Sequence, residues 1–224
     1  MNYHVIMFMC NDFKRAQFTL ENFRKHNPGI PIRVVNSGGD SPEPYLKHVG
    51  DIEFIDAPNL WHKKTACGTG SFGPQYFDYL FEYGLDPNYT HTLFLETDVL
   101  TNRAVSYVPR YDLSGPVNFC GPAEHALYDA VGIDKYRVHT GCGGTMFSKR
   151  YFTTIKAGNY ALYQKLFDSY PQHYFMDLIG TLVARLHGLT FGHWSEVSNI
   201  PQHVIDQEVK KVNMNATLVH NYKV

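Results

Sequence analysis

The chain lacks a dominant charge, paired cysteines and any long apolar run, and each absence removes a class of function. Its 20 Lys and Arg stand against 21 Asp and Glu, so there is no broad field for gripping nucleic acid or an anionic membrane surface. Any polyanion it binds is small. Cys10, Cys67, Cys120 and Cys142 form no CxxC pair, and their spacing suits neither a zinc knuckle nor a disulfide framework. They read as reduced thiols. No stretch approaches the roughly 20 apolar residues of a membrane span. The short apolar run Val5 to Cys10 has neither the basic flank nor the small-residue cleavage site of a signal peptide. The expectation is a cytoplasmic protein. No repeat, low-complexity tract or linker interrupts the chain, and GxSxG, HExxH and P-loop motifs are absent.

What is present is ample material for a core: 224 residues, 44% hydrophobic and 15% aromatic, enough for one domain over residues 1–224. Short apolar runs rich in β-branched and aromatic residues alternate with helical periods through the first hundred residues. That alternation is the signature of an α/β protein with a parallel sheet. "YHVIMFMC", "PIRVVN", "DIEFID" and "HTLFLE" read as four strands. Helices are expected over Phe13 to His26 and after Pro74. Further on, "PVNFCG" reads as a strand, "HTGCGGTMFSK" as a glycine turn entering another, and Asn159 to Ser169 as a helix. "YFMDLIGTLVARLHG" is the clearest helix, closing at Gly188, and "GLTFGHWSEVSN" and "ATLVHNYK" look like strands.

In an open parallel sheet, ligands gather at the carboxyl ends of the strands. Polar residues collect there: Asn11 and Asp12 after the first strand, Asp40 in "NSGGD" after the second, Asp56 and Asn59 after the third, and Glu96-Thr97-Asp98 after the fourth. Alternate residues of a strand point to one side, so extended geometry through Asp98 brings Glu96 and Asp98 to one point. Two hard oxygen donors at one point suit Mg²⁺ or Mn²⁺. The bland alternative is a turn cap beside a solvated glutamate.

A strand of the type hhhh[DE]xD, with "NSGGD" after the second strand, resembles the DxD motif of the GT-A glycosyltransferases. "HTGCGGTMFS" looks like the acceptor-side strand of that fold, "YFMDLIGTLV" like its xED-type helix, and "LVHNYK" like its C-terminal histidine segment. Glu96 departs from the motif's usual Asp. Among members, the chain looks most like the small enzymes with which large algal viruses glycosylate their capsid protein.

The resemblance implies a mostly parallel central sheet flanked by helices. A nucleotide-sugar-binding half would span about 1–101 and an acceptor-side half about 102–224. It implies a UDP-sugar donor, a glycan or glycoprotein acceptor, and Mn²⁺ or Mg²⁺ held by Asp98, Glu96 and His220. Asn11, Asp40 and Asn59 become candidates for the uracil and ribose, and Glu96 for the ribose as well. Lys64, with Lys63, would stand beside the diphosphate, and Asp177 would be the base that deprotonates the acceptor. His193 is the runner-up to His220.

Two other readings compete. "GTGSFG", Gly68 to Gly73, matches the dinucleotide-binding GxGxxG, but no strand runs into its first glycine as that fingerprint requires. A non-catalytic carbohydrate-binding protein would use Trp61, Trp194 and some of the 16 tyrosines as stacking platforms.

Overall fold

The computed structural model describes residues 2–57, 75–120, 122–133, 138–141, 143–156, 176–199 and 215–220. Strand β1 (Tyr3–Met9) is buried along its whole length. Its side chains alternate between two cores, Ile6 and Phe8 joining one and Tyr3, Val5, Met7 and Met9 the other. A strand covered on both faces is apolar at nearly every position, which is why Val5 to Met9 read as a continuous run, and its one polar residue, His4, is hydrogen-bonded to the Gly84 carbonyl and the Thr92 hydroxyl. Helix α1 (Phe13–His26) buries Ala16, Thr19, Leu20 and Phe23 at helical spacing. Arg24, Lys25 and His26 in its last turn suit the negative end of its dipole.

Strands β2 (Ile32–Asn36) and β3 (Ile52–Asp56) follow, with the one-turn helix α2 (Glu43–Leu46) between them. Then come α3 (Gln75–Gly84), β4 (His91–Phe94) and the two-residue β5 (Leu100–Thr101). The second half contributes β6 (Leu113–Gly115), β7 (Val117–Phe119), α4 (Pro122–Ala130), β8 (Val138–Thr140), β9 (Thr145–Ser148) and α5 (Lys149–Lys156). Helix α6 (Met176–Leu186) precedes β10 (Phe191–His193), β11 (Val197–Asn199) and β12 (Leu218–His220).

Seven strands form the central sheet in the order β10-β6-β9-β4-β1-β2-β3. Every adjacent pair is parallel except those of β9, which runs antiparallel to both β4 and β6. Helix α1 covers one face. The other is packed by residues of α3, α4, α5 and α6, including Leu80, Leu127, Phe152 and Leu182. Beside this sheet, β12 lies between β11 and β5, parallel to the first and antiparallel to the second. The β7–β8 pair is a separate antiparallel ribbon.

The mostly parallel α/β architecture matches the expectation, and several pieces add to it. β5, β6, α4 and α5 have no counterpart in the sequence reading, and the expected helix over Asn159 to Ser169 lies outside the described residues. Among those described, no helix is long and apolar enough to cross a membrane.

Candidate functional site

The Glu96-Thr97-Asp98 segment does not continue the strand as the spacing argument requires. β4 ends at Phe94, and Thr97 and Asp98 lie in a turn. The two carboxylates converge through that turn. It is anchored on α1, where the buried Thr19 hydroxyl donates to the Thr97 carbonyl at 2.7 Å. The Thr97 hydroxyl in turn donates to Asp12 Oδ2 at 3.0 Å.

The third member of the cluster comes from the far end of the sequence. Because β12 pairs antiparallel with β5 through Val219 and Leu100, the next residue, His220, is carried back toward Asp98. Leu218 and Val219 are fully buried and His220 is nearly so. His220 Nε2 forms a short contact with Glu96 Oε2 and stands 3.4 Å from Asp98 Oδ1. One ligand atom from each of Glu96, Asp98 and His220 lies within 4.8 Å of the others.

Gly143, in the turn before β9, completes the arrangement from behind. Its N–H donates to Glu96 Oε2 at 3.0 Å. A side chain there would collide with the site, since a Cβ would fall 2.7 Å from His220 Cδ2 and 3.0 Å from Glu96 Cβ. Gly144, with φ +91°, turns the chain into β9 in a conformation that favours glycine.

The two carboxyls experience opposite net effects. Burial works against ionisation of Glu96, but the His220 charge and the hydrogen bonds from His220 and Gly143 outweigh it and hold the carboxyl below its ordinary value. Its side chain is 41% open to solvent. At Asp98, burial dominates and Glu96 adds repulsion, so that carboxyl is pushed up despite His220. Asp98 Oδ1 is buried and accepts no hydrogen bond.

A buried carboxylate oxygen without a donor, beside a second carboxylate and an imidazole, is the donor set that Mn²⁺ or Mg²⁺ completes. The residues present fit such an ion.

Other expected site residues fall at the same ends of the strands. Asn11 adopts φ 57°, a left-handed conformation that asparagine tolerates. Its side-chain oxygen accepts the Asp40 N–H at 2.8 Å, joining the loops after β1 and β2. Asn36 donates to Asp56 Oδ1 at 3.1 Å, joining β2 to β3. Asp177 is the second residue of α6.

Asn59, Lys63, Lys64, Trp61 and the "GTGSFG" loop lie outside the described residues. His193 is exposed and is not part of the Glu96 cluster. Trp194 is fully buried, so it is core rather than a sugar platform. Glu196, also buried, accepts the Ser106 N–H with both oxygens. The sequence reading missed the Gly143 amide, the Thr19–Thr97 anchor and the role of Asp12. The glycine pair at 143 and 144 was the one visible signal among them.

No family model matches the chain, and no curated protein does. Solved structures do match. The galactosyltransferase LgtC, in complex with donor and acceptor sugar analogues, superposes with a TM-score of 0.63 at 14% identity, over 99% of this chain and 87% of that one. Mouse xyloside xylosyltransferase 1 gives 0.65 at 10% identity, over 98% and 97%. Core-mannan synthase A from Aspergillus fumigatus, solved in a Mn/GDP form, gives 0.60 at 10% identity, over 87% and 73%. The fold is therefore that of the GT-A glycosyltransferases, a mostly parallel sheet flanked by helices.

Proposed function

We propose that this chain is a metal-dependent glycosyltransferase that moves a sugar from a UDP-sugar to a hydroxyl of a glycan or glycoprotein acceptor, a viral capsid glycan being the acceptor its sequence resemblance favours. The observation that carries the reading is the Glu96, Asp98 and His220 cluster at the carboxyl end of β4, with an unsatisfied Asp98 oxygen inside it. Asp98 and His220 would hold the ion directly. Glu96, whose carboxylate is already engaged by Gly143 and His220, would touch the ion or its water and the ribose.

When bound, a divalent cation supplies positive charge against the charge that grows on the diphosphate as the anomeric bond breaks. The chain's own residues do the rest. Asn11 and Asp40, tied together by one hydrogen bond, lie on the loops where uracil and ribose would sit, and Asn59 would be the third residue of that contact. Lys64 would add positive charge at the diphosphate. Asp177 at the start of α6 would accept the acceptor hydroxyl's proton as that oxygen bonds to the anomeric carbon and UDP leaves.

The test is a thermal-shift panel of UDP, GDP, CDP, ADP and NADH, each with and without Mn²⁺. UDP is expected to stabilise the chain only with the ion, by about 2.7 kcal/mol at 100 times Kd. Stabilisation by NADH without metal would replace this reading with an oxidoreductase.

Asp177→Asn is expected to lower turnover by about 10² to 10⁴ with donor affinity unchanged. Unchanged turnover removes the base assignment, and NMR of the product anomer then distinguishes a retaining reaction.

A further inference from the structure

The Glu96 carboxylate is held by a backbone amide, and the segment carrying that amide is pinned by a threonine on another helix. Thr181, fully buried in α6, makes two hydrogen bonds to a single residue. Its Oγ1 accepts the Thr140 N–H at 2.9 Å and donates to the Thr140 carbonyl at 3.1 Å. These two bonds tie α6 to the end of β8.

Thr140 is itself fully buried, and its hydroxyl donates to the Pro116 carbonyl at 3.0 Å. Three residues further on, Gly143 donates to Glu96 Oε2, and Gly144 N–H donates to the Phe94 carbonyl at 2.8 Å. Gly143 packs directly against His220 and Glu96, so a displaced Gly143 would disturb both.

We propose that Thr181 is a positioning residue for the metal-ligating cluster: by clamping Thr140 it fixes the Gly143 turn, and that turn orients Glu96. The assignment rests on reading Glu96, Asp98 and His220 as metal ligands. Asp177 stands one helical turn before Thr181 in the same helix. The clamp thus links the helix bearing the proposed base to the ligand cluster.

A merely structural hydrogen bond would cost stability and nothing else, so the test needs a control of that kind. Thr92 supplies one. It is buried, its hydroxyl donates to the Gly84 carbonyl at 2.6 Å, and it lies on β4 away from the cluster.

Mn²⁺ titration, followed by the EPR signal of free Mn²⁺, is run on the full chain and on Thr181→Val, Thr181→Ser, Thr92→Val and Glu96→Gln. Exchange of the Gly143 amide is measured by NMR without metal. Thr181→Val is expected to weaken Mn²⁺ binding by about tenfold, the lower end of outer-shell effects, with Thr181→Ser within about twofold of wild type. Gly143 exchanges faster in the valine chain, and Thr92→Val leaves both readouts unchanged. If the valine chain does not fold, Thr181→Ala carries the same test.

Wild-type Mn²⁺ affinity in Thr181→Val, an equal loss in Thr92→Val, or lost affinity with Gly143 protection intact each overturns the assignment. A wild-type chain that takes up no Mn²⁺, like Glu96→Gln, overturns the metal reading instead. The Gly143 exchange then still decides whether Thr181 holds the turn.

Discussion

Replacing Gly143 with alanine tests the packing and the chemistry of the site at once. The added methyl would lie 2.7 Å from His220 Cδ2, 2.7 Å from Val99 Cγ2 and 3.0 Å from Glu96 Cβ. Carbon atoms in contact sit roughly 3.5–4.0 Å apart, so each neighbour must retreat by about half an ångström or more.

Val99 is fully buried and has nowhere to go, and the Glu96 Cβ is fixed by its own backbone. The His220 ring is left to tilt. Overpacking of this kind costs about 1–3 kcal/mol. At about 2–4 °C per kcal/mol for a chain of this size, Tm falls by about 2–12 °C.

Tilting the ring also draws Nε2 away from the two carboxylates, so Mn²⁺ affinity falls by about tenfold or more. Thermal melts and Mn²⁺ titration with UDP read the two effects separately. Unchanged Tm and affinity would refute the packing around Gly143. A lowered Tm with unchanged affinity would refute the placement of the ion against His220.

Further outcomes follow from the charges. Asp98→Asn removes the UDP stabilisation seen with Mn²⁺ while leaving the metal-free Tm equal or higher. Burial raises the Asp98 pKa in the folded chain, so its ionised form opposes folding at neutral pH; a lost fold would instead favour a capping role. His220→Ala lowers Mn²⁺ affinity and His193→Ala does not; the reverse result moves the ligand to His193. Asp112 accepts hydrogen bonds from Thr190 N, Thr190 Oγ1 and Ser148 Oγ, and pairs with Arg150. Burial opposes its ionisation, but these partners prevail and depress its pKa. Its contribution is thus full above the unfolded value of about 3.9 and is lost as pH falls through the folded one. Asp112→Asn should cost about 1.5–3 kcal/mol at pH 7 and progressively less below about pH 4, as denaturant melts at several pH values would show.

Much of the first hundred residues was legible because β1, β2 and β4 are largely buried and announce themselves as apolar runs, while the half-exposed edge strand β3 still shows in its Ile and Phe residues. β1, β2, β3 and β4 and helix α1 fall where "YHVIMFMC", "PIRVVN", "DIEFID", "HTLFLE" and the Phe13 to His26 period place them. Short elements fixed only by their neighbours were not legible. β6, Leu113-Ser114-Gly115, has no strand composition of its own and exists because β9 and β10 flank it. The proximity of Glu96 and Asp98 was readable, but its cause was not. Strand alternation was the argument, and a turn held by Thr19 is the fact, since a long-range hydrogen bond between residues 19 and 97 leaves no local trace. Likewise the Gly143 amide depends on a β9 pairing that periodicity cannot reveal.

The reversal of β9 also sets the polarity of the sheet edge that carries Glu96, Asp98 and His220. Parallel strands all end there, presenting carbonyls and, in this sequence, acids. A single antiparallel strand begins where its neighbours end, so the backbone entering β9 brings amide hydrogens to that edge, and Gly143 and Gly144 spend theirs on Glu96 and Phe94. One inverted strand thus places fixed partial positive charge among carboxylates without any basic side chain. A main-chain donor does not titrate, has no rotamers to lose and is altered only by moving the chain, so point substitution can retune this edge by changing its acids far more readily than by changing its donors.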